Sequence, residues 1–319
     1  MSARDSVTDP WLTIIMPSFC GESWINFALD SIVTEGMDGI DVLIIDSSPT
    51  SATRDIAQTY QTKLRLRVLD RPDLRSWHHK TNVGVAMAES SHVCWLHVDD
   101  LWLPGRAKAV RQWIDRAPDA DLHLCPTAII DRNGRTLGTW RCPLPFECEL
   151  PRELIMDRLV VQNFIGAPAP VFRKDAWEAS GGLDESLWYT ADWDLWLKLA
   201  AGGSVRYHND PTVAFRIHGG SLTVTGSRDI ADFTRQMQIV MDRYLPSTSQ
   251  PMHVARAAQA SITVNTALAY AASGNFRNLP QAISAVLKLG PAGIGRYLRD
   301  SRISERLIPR IRARLLGDF

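Results

Sequence analysis

Short apolar runs alternate with helix-spaced apolar positions through the first third of the chain. Leu12–Met16 (LTIIM) ends at Pro17 and reads as a buried strand. Ile25, Leu29, Ile32 and Val33 recur at helical spacing within Glu22–Glu35. Val42–Asp46 (VLIID) reads as a second strand, and Leu64, Leu66 and Val68 alternate in a third. Lys80–Ala88 reads as helical, and Val93–Val98 (VCWLHV) as a fourth strand, followed by two aspartates. Pro104 suits the first turn of a helix over Pro104–Ile114. This order predicts an α/β fold with a mostly parallel central sheet and helices on both faces.

After Ala120 the pattern is less regular. Asn133-Gly134 between two strand-like runs is a hairpin signal. Gly181-Gly182 breaks the chain, Asp192–Ala200 (DWDLWLKLA) is helical, and Val213–Ile217 is a strand. Beyond about Thr225 strand signals stop, and helices are predicted over Met252–Ala272 and Gln281–Leu289. All eleven tryptophans fall at or before Trp196. A border near residue 225 follows, with a sheet-containing domain over 1–225 and a helical region over 226–319.

Composition narrows the class. The chain has 319 residues, 45% of them hydrophobic and 22% charged, which excludes a disordered chain and allows a sizeable core. Lys+Arg and Asp+Glu are each 35, so nothing in the whole-chain charge points to nucleic acid as a partner. The five cysteines (20, 94, 125, 142 and 148) lack zinc-like spacing, and Cys20 and Cys94 sit in apolar runs as small buried hydrophobes. The opening MSARDSVTDP has no apolar core of a signal peptide, and no long uncharged apolar window spans a bilayer. The expected location is cytoplasmic.

The zero net charge conceals an asymmetry. Lys288–Phe319 holds eight Lys/Arg against three Asp/Glu, so residues 1–287 carry net −5. In the terminal stretch Ile303, Leu307, Ile311 and Leu315 recur every four residues, one position after Arg302, Arg306, Arg310 and Arg314. Pro309 is expected to kink this helix. Two placements stay open for 290–319. One is peripheral contact with an anionic membrane, on its inner face; the other is ordinary packing on the catalytic domain or on a second subunit of a homo-oligomer.

Candidate chemistry lies at the strand ends, where open parallel sheets bind ligands. Asp46 ends the second strand, and Asp99 and Asp100 follow the fourth. Adjacent acids without a basic sequence neighbour point to a divalent cation, Mn²⁺ or Mg²⁺, shared with substrate phosphates. The alternative for Asp100 is helix capping ahead of Pro104.

Five ordered blocks carry a resemblance: LTIIMPSFCGESWINFALDSI, VLIIDSSPT, NVGVAMAESSHVCWLHVDDLWLPG, GGLDESLWYTADWDLWLKLAAGG and FRIHGGSLT. Together, over about residues 11 to 225, they resemble the family 2 glycosyltransferases of the GT-A fold. The resemblance implies an inverting transfer of a sugar from a nucleotide-diphosphate donor, a UDP-sugar as the common choice, to a hydroxyl of a glycan or lipid-linked acceptor in cell-surface polysaccharide or glycolipid synthesis. Pro17, Ser18, Phe19 and Glu22 match the base-holding block, with Cys20 where most members have Asn. Asp46 matches the acid that contacts base or ribose, and Lys80 and Asn82 are placed to approach a phosphate. Asp99 matches a ribose contact, Asp100 the direct metal ligand, and His218 a metal or diphosphate partner. His97 stands where members often have Asp or Asn.

Asp192 matches the catalytic base, although Ala191 replaces the usual Glu before it, and Asp194 is its competitor. Trp188, Tyr189 and the Asn163–Pro170 stretch are the acceptor-side candidates. Two other functions stay open at this stage. A nucleotidyltransferase would use the same acids and metal but should carry a basic phosphate loop, which PSFCGES lacks. A non-catalytic nucleotide-sugar-binding scaffold is favoured only by the altered residue before Asp192.

Overall fold

Seven consecutive buried residues, Leu12–Ser18, form the strand on which the molecule is organised. The computed structural model describes residues 9–221 and 229–317. In chain order it runs β1 (Leu12–Ser18), α1 (Ile25–Val33), β2 (Ile40–Asp46), α2 (Ala52–Gln58), β3 (Arg65–Asp70), α3 (Trp77–Met87), β4 (His92–Trp95), β5 (Leu101–Trp102) and α4 (Arg106–Arg116). It continues with β6 (Leu122–Leu124), β7 (Thr127–Ile130), β8 (Thr136–Trp140), α5 (Arg152–Leu159), β9 (Val171–Arg173), α6 (Lys174–Ser180), α7 (Ala191–Gly202), β10 (Val205–Tyr207) and β11 (Val213–Arg216). The last helices are α8 (Ile230–Tyr244), α9 (Pro251–Ala272), α10 (Leu279–Leu287), α11 (Gly290–Ser301) and α12 (Ile303–Leu315).

The central sheet has the order β10-β6-β9-β4-β1-β2-β3 among the described residues. Its pairings are parallel except those of β9, which runs antiparallel to β4 and β6. β1 lies between β2 and β4, so the strand order reverses beside it, which opens a crevice at the carboxyl ends of these strands. Leu12, Ile14 and Met16 face Ile25, Leu29 and Trp113 on one side; Ile15 faces Val85, Trp95 and Trp196 on the other. A Cβ at Gly84 would stand 2.5 Å from Ile15 Cγ2, so glycine is what lets α3 lie against β1.

A second sheet, β5-β11-β7-β8, completes the crevice. β7 and β8 are the arms of the predicted hairpin, and Gly134 takes φ +83° in its loop. β11 pairs antiparallel with β5, which brings the segment after Arg216 beside the residues preceding Leu101.

The expected border at 225/226 lies outside the described residues. Beyond it, Phe233, Met237, Val240, Val254, Ala258 and Ile262 share one hydrophobic cluster with Trp95 and Trp196. Asp194, fully buried on α7, anchors this layer: Arg243 pairs with it at 2.5 Å and Lys198 at 2.8 Å, and the Tyr244 hydroxyl donates to it at 2.8 Å. Cys94, Cys125 and Cys142 are buried, but Cys20 is exposed, with φ +49° in the loop after β1, contrary to its expected burial.

The terminal helix divides its residues between the core, the cavity and solvent. α12 packs on β8, with Ala313 buried beside Ile129, Leu137 and Ile217. A Cβ at Gly138 would lie 3.0 Å from Pro309 Cγ, so the glycine admits the proline ring. The helix runs through Pro309 rather than stopping there. Arg306 and Arg310 turn inward, whereas Ile311 (48% exposed) and Leu315 (82%) of the apolar row face outward. No helix among the described residues is long and apolar enough to cross a membrane.

Candidate active site

The crevice holds a cavity of about 980 Å³. At one end Pro17, Ser18 and Phe19 leave β1, and Lys80 of α3 reaches the same wall. Phe19 is 61% exposed, so its ring is a surface face and not core packing. The buried Lys80 ammonium donates to the Ser18 carbonyl at 2.5 Å and lies 5.7 Å from the Phe19 ring centroid. Burial pushes the Lys80 pKa down to about 8, opposed by the Asp46 carboxylate.

In the middle stand Asp99 and His218, brought together by the β5–β11 pairing. Asp99 Oδ2 and His218 Nε2 are 3.0 Å apart. Burial works against ionisation of Asp99, but the His218 hydrogen bond and the His97 imidazole outweigh it and hold the carboxyl below its ordinary range. Asp100 turns the other way. It is 1% exposed, Oδ1 accepts the Arg216 backbone N–H at 3.0 Å, and Oδ2 has no hydrogen-bond donor among the described residues. Burial raises its pKa to about 6. Asp99 and His218 line the cavity, whereas Asp100, ranked from the sequence as the direct metal ligand, does not.

The far wall carries Asp192 at the first turn of α7. Its Oδ1 accepts the Trp193 N–H at 2.7 Å, and Oδ2 accepts from the Asn163 amide at 3.3 Å. Burial raises its pKa to about 6 against these bonds. Two residues on, Asp194 points into the α7–α8 interface, so of the two competitors only Asp192 reaches the cavity.

Three further expected residues stand back from the cavity. Glu22 accepts from Thr53 Oγ1 at 3.0 Å, and that hydroxyl accepts the Gly21 N–H. Asp46 is fully buried, and Arg54 pairs with it at 2.7 Å while the Ser48 hydroxyl and backbone N–H donate to it. Asn82 donates to the Leu183 carbonyl at 3.0 Å and accepts the Leu183 N–H, fastening α3 to the loop before α7. Each holds a cavity-forming loop without lining the cavity itself.

Other contributors were absent from the sequence-based set. Arg216 donates to the Asp99 carbonyl at 2.8 Å and to the Asp131 carbonyl at 3.0 Å, and its guanidinium lies 4.8 Å from the Trp24 ring. It thereby fixes the loop that carries both acids. Its place two residues before His218 on one strand was the available signal. Trp24, Arg306 and Arg310 also line the cavity, and nothing local in the sequence marks them.

No group of three or more His, Cys, Asp or Glu converges as a complete metal site among the described residues. The pair Asp99–His218 nevertheless fits a divalent cation. One carboxylate and one imidazole converge in the cavity. Mg²⁺ and Mn²⁺ are commonly held by one or two protein ligands, with phosphates and water completing the shell.

Known proteins share the fold. A mannosyltransferase of Pyrobaculum calidifontis, solved with GDP-Man and Mn²⁺, superposes with a TM-score of 0.54 over 96% of this chain and 87% of its own, at 15% identity. S. aureus TarS 1-349 in complex with UDP-GlcNAc gives 0.62 over 91% of this chain and 81% of its own, at 17% identity. Against a longer S. aureus TarS chain it spans 43% of that chain's length. An uncharacterized glycosyltransferase of Rickettsia prowazekii is 22% identical over 72% of this chain and 71% of its own length. The sequence profile of glycosyl transferase family 2 matches residues 13–178, just over half of the chain. With its GT-A architecture, the chain therefore belongs to glycosyl transferase family 2.

Proposed function

We propose that this glycosyltransferase moves a sugar from a nucleoside-diphosphate sugar to an acceptor hydroxyl in one displacement, with inversion at the anomeric carbon. One observation carries the reading. The cavity offers two carboxylates of unlike kind: Asp99, tied to His218, and Asp192, which forms no ion pair among the described residues. A single unpaired carboxylate suits one base and one displacement.

The acceptor oxygen attacks the anomeric carbon as the bond from that carbon to the diphosphate oxygen breaks. The bonding electrons leave with the nucleoside diphosphate, and the hydroxyl proton passes to Asp192. The Phe19 face and the Pro17–Ser18 backbone receive the base, and Lys80 holds their carbonyl in place. Asp99 and His218 are the residues that would hold Mn²⁺ or Mg²⁺. When bound, such an ion neutralises charge developing on the departing diphosphate. Glu22, Asp46 and Asn82 act one layer behind, by fixing the loops they tie.

A thermal-shift screen of nucleotide sugars with Mn²⁺ tests the donor, with UDP-GlcNAc first. A donor at about 100 times its Kd adds roughly 2.7 kcal/mol of apparent stability, a shift of several degrees. If no nucleotide sugar raises the melting temperature, the donor reading is wrong.

The acceptor is proposed to be a glycan or lipid-linked chain met at an anionic membrane. Ile311, Leu315 and Leu316 at the end of α12, with Ile283, Leu287 and Leu298 on α10 and α11, are exposed among Lys288, Arg299, Arg312 and Arg314. That combination complements an anionic lipid surface. Flotation with phosphatidylglycerol vesicles should succeed for the wild type and fail for Ile311→Asp/Leu315→Asp. Equal flotation of the two forms would discard the membrane contact. Deleting the helix is a poor test, because it also removes Arg306 and Arg310 from the cavity.

A further inference from the structure

The Asp192 end of the cavity is rich in donors and cations and poor in counter-charge. Arg306 and Arg310, one turn apart on α12, both line it. Arg306 Nη2 donates to Asn265 Oδ1 at 3.0 Å, and Arg310 Nη1 donates to the Arg306 carbonyl at 2.9 Å. Every partner found for these guanidiniums is neutral, and neither forms an ion pair among the described residues. The neighbours of α12 leave the charge uncompensated: Arg302 of the same helix is already paired with Glu305 at 3.4 Å, and the facing wall offers Gln162, Tyr189 and Asn265.

Burial pushes the Arg306 pKa down to about 10, and the adjacent Arg310 adds to the shift; burial also lowers that of Arg310. Trp140, whose ring lies 5.7 Å beneath the Arg306 guanidinium, has a buried indole N–H with no acceptor. An indole N–H can only donate, and a guanidinium can only donate. Buried cations without a counter-ion are costly, so this wall is incomplete until something negative and acceptor-rich occupies it.

Position separates this wall from the donor's. A chain of hydrogen bonds links the wall to Asp192: Arg306 donates to Asn265, Asn265 donates to Gln162 Oε1 at 2.7 Å, Gln162 donates to the Asn163 carbonyl at 3.1 Å, and Asn163 donates to Asp192. Phe19 and Lys80 have no part in this chain; Lys80 is bound instead to the Ser18 carbonyl and lies against the Phe19 ring. The arginines therefore lie on the side of the proton-accepting carboxylate.

We propose that Arg306 and Arg310 form an oxyanion subsite for the acceptor, which carries a phosphate or carboxylate close to the hydroxyl that is glycosylated. The inference rests on the glycosyl-transfer reading above and specifies its acceptor class. Arginine forks bind either oxyanion in bidentate fashion. Trp140 would donate a further bond and offer its ring to the adjoining sugar or polyol.

The test uses the full chain and small probes. Glycerol 1-phosphate and glucuronate are compared with glycerol and glucose by calorimetry or ligand-observed NMR, with UDP-sugar binding measured in parallel. The wild type should bind one anion at least about tenfold more tightly than its neutral counterpart, as expected for a charge-assisted contact. Preference for the phosphate or for the carboxylate identifies the source. Arg306→Gln/Arg310→Gln should abolish the preference with donor affinity unchanged, and Arg306→Lys should retain part of it.

Equal binding of charged and neutral probes by the wild type overturns the inference without relying on any variant folding. Retained preference in the double variant overturns it too. So does a parallel loss of donor affinity, which would assign the arginines to the donor diphosphate. A wild type that binds the anions but no nucleotide sugar points instead to failure of the transfer reading, so the two failures are distinct.

Discussion

Asp192→Asn lowers turnover by about 10³-fold while leaving donor binding intact, the size of effect expected from removing a positioned general base. The amide keeps the shape and the Trp193 hydrogen bond at Oδ1 but cannot take a proton. The wild-type pH profile should match. The Asp192 pKa is raised to about 6 by burial, so kcat/KM rises with pH through that value as the carboxyl ionises, then levels off. Stability follows the opposite sign. Between the unfolded value of 3.8 and the folded value of about 6 the native state binds more protons than the unfolded one, so stability falls as pH rises through this window. Above it the charged, buried Asp192 is a constant cost.

Asp192→Asn removes that cost. Its melting temperature should exceed the wild type's at neutral to alkaline pH by an amount worth about 1 kcal/mol, and the gain should vanish toward pH 4. The gain is modest because Asn163 donates to the oxygen that becomes an amide nitrogen. Measuring turnover, nucleotide-sugar binding and melting on one preparation checks all three. Surviving transfer would remove Asp192 from the role of base.

Asp99→Ala should be comparably severe, with a loss of about 10³-fold in transfer, because it removes the carboxylate that converges with His218. Its sharper signature is physical. The additional stabilisation that Mn²⁺ confers together with a nucleotide sugar should disappear in Asp99→Ala and persist in Asp100→Asn. Asp100 is turned from the cavity and accepts the Arg216 backbone N–H, a bond that Asn can also accept. If the pattern came out reversed, Asp100 would be the ligand, as the sequence alone had ranked it.

The adjacent aspartates show why sequence reading stopped where it did. Both follow β4, and both were recognised as chemical candidates. Which one faces the cavity depends on Arg216 and His218, more than a hundred residues downstream, brought alongside by the β5–β11 pairing. Asp192 and Asp194 were separable in principle, since residues two apart on a helix diverge; the direction of the core was not known until Arg243 and Tyr244 of α8 were seen to claim Asp194. Glu22, Asp46 and Asn82 stand behind the cavity lining in the fold, because a matched position does not say whether an oxygen is already occupied by a neighbour such as Arg54 or Thr53.

The sequence by itself determined the alternation of strands and helices, the parallel sheet, the strand-end location of the chemistry and the family. These depend on local periodicity and on ordered blocks, which are written contiguously along the chain. The tertiary structure alone decided which of paired acids faces the cavity, how the helices after residue 229 join the sheet's core, and that α12 turns two of its arginines to the cavity while exposing Ile311 and Leu315. The pattern of the terminal arginines left membrane contact and ordinary packing both open; in the fold two of them line the cavity. Periodicity specifies that a helix has two unlike faces. Which face turns inward is set by what the rest of the fold presents to it, and here that is β8 and a cavity wall without counter-charge.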